Sequence, residues 1–132
     1  MILLCHEMMG RAIPDSLRAI GYPVTSMHRA RMLGRKDPDW LTVAGRRGWL
    51  VLSKNKRMLL VEEERRTIIH ESTGIIFLTQ DLQDLPRLLK LLLTKWSWIC
   101  AQDQRPRPFA TFLSPTGRLS DTFRLGRKVY QL

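Results

Sequence analysis

Residues 37–56 read Asp-Pro-Asp-Trp-Leu-Thr-Val-Ala-Gly-Arg-Arg-Gly-Trp-Leu-Val-Leu-Ser-Lys-Asn-Lys, and this stretch narrows the fold more than any other. Asp37 can cap a helix, Pro38 suits the first helical position because no amide hydrogen is needed there, and Asp39 faces the positive end of the helix dipole. Gly45 and Gly48 are expected to stop that helix. Trp49 to Leu52 then has almost no polar content, as a strand buried on both faces requires. A helix feeding directly into such a strand is the repeating unit of an α/β sheet. In open sheets of this kind ligands gather beyond the carboxyl ends of the strands. Here that end carries Lys54, Asn55 and Lys56.

The rest of the chain repeats the alternation. Ile2 to Cys5 is an apolar run followed by the polar turn His6-Glu7. Residues 11–20 place Ala12, Ile13, Leu17 and Ile20 near helical spacing, with Gly21 as a natural C′ residue. Tyr22 to Ser26 predicts a short strand, and Pro23 puts it at a sheet edge. Glu62, Glu63 and Glu64 open a third helix whose acidic first turn suits the dipole. Gly74 is expected to end it before the strand Ile75 to Thr79, which is followed by Gln80 and Asp81. From Leu85 to Gln102 the chain is dense in Leu, with Trp96, Trp98 and Ile99 spread round more than one face. A helix buried on most sides is expected there, packed on the sheet and a neighbour or forming part of a homodimer contact. Arg105-Pro106-Arg107-Pro108 breaks it, Phe109 to Leu113 alternates like a strand, and Pro115-Thr116-Gly117 is a turn signal. The fold expected is α/β, with a central, mainly parallel β-sheet flanked by helices and antiparallel pairing at the C-terminal strands.

A chain of 132 residues with 44% hydrophobic content suits one domain over residues 1–132. Lys and Arg number 22 against 12 Asp and Glu, a net charge of +10, so polyanions are the default partner. The Leu-rich run is interrupted by Lys90 and Lys95 and falls short of the roughly 20 apolar residues a membrane span needs. Met1 to Cys5 lacks the basic start and small-residue cleavage site of a signal peptide. With two cysteines, Cys5 and Cys100, a reducing, cytoplasmic setting without a structural disulfide is the expectation. No Gly-rich phosphate loop, zinc-type Cys/His spacing or Ser-His-Asp arrangement can be defended.

Three strands end in polar residues: His6 and Glu7, then Lys54 and Asn55, then Gln80 and Asp81. Asp37 and Asp39 can join them from the helix N-terminus. Oxygen donors converging at one edge are what a Mg²⁺ or Mn²⁺ site for phosphodiester hydrolysis needs. The simpler readings are a helix cap for Asp37, solvated loop acids for Glu7 and Asp81, and a hydrogen-bonded histidine for His6. Arg35, Lys36, Arg46, Arg47, Lys54, Lys56 and Arg57 are candidates for holding nucleic-acid phosphate.

The order Leu-Leu-Cys-His-Glu, a helix ending in Gly, Lys-Asp-Pro-Asp-Trp, Gly-Trp-Leu-Val-Leu-Ser-Lys-Asn, Glu-Glu-Arg-Arg and Gly-Ile-Ile-Phe-Leu resembles the PIN-like domains, over roughly residues 2–80. It is similar to the ribonuclease toxins of bacterial toxin-antitoxin pairs. That resemblance implies a metal held by three acids: one after the first strand, one opening the helix before the central strand, and one after that strand. Asp37 matches the second position, His6 or Glu7 stands at the first, and Asn55 stands at the third. Glu64 matches a Glu-Arg pair of the family, although the helix dipole accounts for it equally well. Two functions follow as expectations. The first is a metal-dependent endoribonuclease, a toxin with an antitoxin partner, in which Asp37, Glu7 and Asn55 ligate Mg²⁺ or Mn²⁺ with help from Asp39 or Asp81. The second is a module that binds RNA or a protein through the same basic edge without cutting.

Overall fold

The computed structural model describes residues 1–80 and 83–132. Its sheet has six strands: β1 (Leu3–Cys5), β2 (Val24–Ser26), β3 (Leu50–Ser53), β4 (Gly74–Leu78), β5 (Phe109–Leu113) and β6 (Leu119–Ser120), in the spatial order β2-β1-β3-β4-β5-β6. The first five are parallel and only β6 runs antiparallel. The remaining strands, β7 (Phe123–Leu125) and β8 (Lys128–Tyr130), form a separate hairpin. Pro23 does precede an edge strand, and the apolar run before Ser53 lies inside the sheet.

Alternation along each strand divides the core in two. Leu3, Cys5, Leu50, Leu52, Ile76 and Leu78 face α1 (Ala12–Ala19) and the C-terminal helices, where Ile13, Leu17, Leu88, Leu92 and Ile99 meet them. Leu4, Val51, Ile75, Phe77 and Phe112 face α2 (Asp37–Arg46) and α3 (Glu62–His70), through Trp40, Leu41, Ala44 and Ile68. Both faces are covered, which is why the strands read as unbroken apolar runs. Cys5 and Cys100 are free thiols, and burial pushes the Cys5 thiol up to about 12. Among the described residues no helix is long and apolar enough to cross a membrane.

Four boundaries depart from the sequence reading. Lys36, not Asp37, is the N-cap of α2, and its side chain makes no capping bond. Asp37 and Pro38 occupy the first two helical positions, so the Asp37 carboxylate is directed elsewhere. Gly45 does not stop α2. It lies inside the helix against the residue that follows α3, and a Cβ there would sit 2.4 Å from the Glu71 carbonyl oxygen. The turn is made instead by Gly48, at φ 68°. Gly74 does not end α3, which stops at His70; it opens β4 and leaves room for the Phe109 ring, 2.5 Å from where a Cβ would lie. The Leu-rich segment is two helices, α4 (Leu85–Thr94) and α5 (Trp96–Asp103), divided at Lys95. Its buried side chains pack on the sheet and α1 of the same chain.

Replacing Gly45 by Ala sets two effects against each other. Helix propensity favours Ala by about 1 kcal/mol, while forcing a methyl into a closed backbone contact costs about 1–3 kcal/mol. A backbone oxygen cannot swing away as a side chain can, so Gly45→Ala should lower the urea-unfolding free energy. A gain in stability would show that α2 and α3 part easily.

Candidate functional site

Parallel pairing without stagger sets the carboxyl ends of the strands side by side: Cys5 is level with Leu52 and Ser26, and Ser53 with Phe77. His6 follows β1, and its amide donates to the Leu52 carbonyl at 2.9 Å. Ser53 is fully buried, and its Oγ accepts from the Asn55 amide at 3.0 Å, curling the loop so that Asn55 turns back over the edge. Helix α2 runs opposite to the strands, so its first residue, Asp37, arrives at the same place.

There the Asp37 carboxylate is enclosed by donors. The indole Nε1 of Trp40, one helical turn on, donates to Oδ1 at 2.8 Å. Asn55 Nδ2 donates to Oδ2 at 3.3 Å. His6 Nε2 lies 3.7 Å from Oδ1, and the imidazole packs on Trp40 with ring centroids 4.9 Å apart. Because His6 Nδ1 accepts from the Met8 amide, the nitrogen that carries hydrogen in the neutral ring is Nε2, the one facing Asp37. His6 and Trp40 are buried, and Asp37 keeps 18% of its side-chain surface.

The fourth neighbour is Glu64, from the first turn of α3. Hydrogen bonding from His6, then from Trp40 and Glu64, holds the Asp37 carboxyl below its ordinary range against the opposing effect of partial burial. Glu64 moves the other way, to about 7, through its own desolvation and then through the hydrogen bond and charge of Asp37. The two carboxyls therefore titrate as a pair, Asp37 shifted down and Glu64 shifted up. Arg35, Lys36, Asp39 and Glu63 complete the lining of a cleft of about 420 Å³ over this pair.

The other residues singled out from sequence go to different places. The Glu7 carboxylate accepts from the Gly34 amide at 3.3 Å, bracing the connector after β2. The position after β1 that meets Asp37 is taken by His6. Asp39 is exposed on the cleft wall. Asp81 lies outside the described residues. Arg46 and Arg47 are at the far end of α2, at the opposite edge of the sheet from Asp37, where Arg46 pairs with Glu71 at 3.5 Å and Arg47 lies 4.9 Å over Trp49. Lys56 donates to the Thr79 carbonyl at 3.2 Å and sits 5.2 Å from the Phe123 ring and 5.8 Å from that of Tyr130. Lys54 is half-buried beside Asn55, and Arg57 is exposed in the next turn. Glu64 and Trp40 are the members to which the sequence reading gives no part in the site. Asp and Trp three apart on a helix must share a face, and that spacing is the signal that could have found Trp40.

The family model described as a PIN like domain matches residues 1–80, which hold β1 to β4 and every residue of the Asp37 cluster. This chain belongs to the PIN-like domain family. No curated protein and no solved structure matches it. The PIN-like fold is of nuclease type, and PIN domains are generally metal-dependent. The donors around Asp37 do not fit that role here. Among the described residues no three of His, Cys, Asp and Glu are grouped to hold a metal. Asn55 presents its amide N–H₂ to Asp37. With Trp40 and His6 on its other sides, this carboxylate already faces N–H groups where a cation would need oxygen donors.

The pH dependence has a definite sign. Unfolded, Glu64 titrates near 4.5; folded, it holds its proton to about 7. Between those values the folded chain binds more protons, so the stability the protonated pair contributes is full below about 4.5 and lost as pH rises through about 7. Asp37 acts oppositely: its contribution is present above its ordinary value of 3.8 and lost as pH falls below it. The urea midpoint should accordingly be higher at about pH 5 than at about pH 8, with the difference reduced in Glu64→Gln. An undiminished difference in that variant would place the proton elsewhere.

Proposed function

We propose that this chain is an RNA-binding PIN-like module in which the metal-binding acids of the fold have given way to an internally balanced hydrogen-bond cluster. The observation that carries the reading is the donor shell of Asp37: His6, Trp40 and Asn55 turn N–H groups toward it. An aspartate in place of Asn55 would face Asp37 oxygen to oxygen and call for a cation between them. Asn55 makes the same contact favourable without one.

RNA is the partner favoured by the net charge of +10 and by Arg35 and Lys36 on the rim of the cleft. The rival reading is a Mg²⁺- or Mn²⁺-dependent endoribonuclease, the toxin of a toxin-antitoxin pair. The acidic cleft with Asp37, Asp39, Glu63 and Glu64 on its walls favours that rival. Labelled structured RNA separates the two. Incubated with the purified chain, with Mn²⁺ or with chelator, it should be retained intact and released by raised salt. Cleavage that needs Mn²⁺ and disappears in Asp37→Asn would establish the nuclease instead.

Asn55→Asp gives an independent check. The new carboxylate would replace a donor with an unpaired charge, so the thermal midpoint should drop, with a cost of about 1–3 kcal/mol. Added Mn²⁺ should restore much of it, while leaving the unaltered chain unchanged. A midpoint of the unaltered chain that rises with Mn²⁺ would overturn the proposal.

A further inference from the structure

We infer that the cleft between α1 and the connector after β2 is a docking site for RNA phosphates, distinct from the Asp37 cluster; the inference rests on the RNA-binding reading above. The cleft has a volume of about 620 Å³ and is lined by Arg11, Arg18, His28, Arg29 and Arg31 against a single carboxylate, Asp15. Among the described residues none of the four arginines is paired with an acid. Four guanidiniums converging on one hollow repel one another, and one carboxylate does not offset that. A polyanion would.

The connector is held rather than loose. Met27, at its start, and Met32, five residues on, are buried and joined by the Met32 amide to the Met27 carbonyl at 2.8 Å. Between them the Ala30 amide donates to the Ser26 carbonyl at 2.9 Å and the Arg29 amide to Ser26 Oγ at 3.1 Å. Arg31 sits in the left-handed region, at φ 57°, which a non-glycine residue rarely adopts and which this turn imposes. On the opposite wall Arg18 Nη1 donates to the Val24 carbonyl at 3.4 Å, fixing the guanidinium while leaving most of its donors for a ligand. Planar guanidiniums held in place match phosphate oxygens in pairs.

The cleft is roomy for one phosphate, and the same connector runs on past Gly34, tethered by Glu7, to Arg35 and Lys36 on the rim of the Asp37 cleft. A phosphodiester chain lying along the connector would meet basic groups at both ends. This favours RNA over an isolated phosphate.

The test is fluorescence anisotropy of a labelled single-stranded RNA on the full chain, between about 50 and 200 mM salt. Arg11→Gln with Arg29→Gln should weaken binding about tenfold and make the log-log salt slope shallower by about 1.4, which is about 0.7 for each phosphate no longer neutralised. Arg127→Gln with Lys128→Gln, the same loss of charge on the β7–β8 hairpin, should leave both nearly unchanged. The conservative pair Arg11→Lys with Arg29→Lys should keep the slope and most of the affinity, which separates charge from folding if the Gln pair proves unstable. Equal weakening by the two Gln pairs would overturn the cleft while leaving the RNA reading intact. Binding of anionic vesicles in preference to RNA would overturn the cleft's assignment to RNA. An unaltered chain that binds no RNA would sink the underlying reading.

Discussion

The in-register parallel pairing of β1, β3 and β4 is the constraint on which everything else here depends. Because Cys5, Leu52 and Ile76 lie level across the sheet, the residues that follow those strands emerge at one edge. Helix α2, running back against the strands, adds its N-terminus to that edge. No single long-range contact has to be found for His6, Asp37 and Asn55 to meet. The hydrophobic layers that fix the strands fix the site, and the site residues themselves contribute little to that ordering. Such a scaffold tolerates changes of chemistry at its edge.

The cluster surrounds a carboxylate at the mouth of a cleft with N–H groups from three residues. With Asn55 kept but an acid in place of His6, Asp37 would face a like charge. With His6 kept but an acid in place of Asn55, the repulsion would come from the other side. Trp40 ties the cluster to the core: its ring is fully buried on the α2 face of the sheet while its N–H reaches the polar edge. Glu64 closes the arrangement from α3, so α2 and α3 meet at their first turns through this pair and at their last turns through the contact of Gly45 with Glu71.

Much of this is legible in the sequence. The apolar runs locate β1, β3 and β4, the alternation of Phe109 to Leu113 locates β5, Pro23 marks the edge strand, and Asp37 and Asn55 fall at the edge where they meet. What misleads shares one cause, since it depends on what a residue touches rather than on what surrounds it in the chain. Gly45 and Gly74 look like punctuation, because a glycine chosen for close approach and one chosen for a turn are identical letters. The Leu-rich segment reads as one helix because hydrophobicity does not show a change of axis at Lys95. Glu7 is the acid chosen from sequence for the position after β1, but the 3-10 turn at Glu7–Met9 swings it toward Gly34 and leaves His6 to meet Asp37. Glu64 is explained by its helix dipole, and a sufficient local reason conceals a distant partner.

Lys56 gives the C-terminal hairpin a consequence beyond packing. This ammonium group is one residue from Asn55, and it is anchored between the end of β4 and the rings of Phe123 and Tyr130. The last strands of the chain thus act as a latch on the loop that supplies one side of the Asp37 shell. Removing the hairpin's rings would leave Lys56 held by the Thr79 carbonyl alone among these contacts, one residue from Asn55.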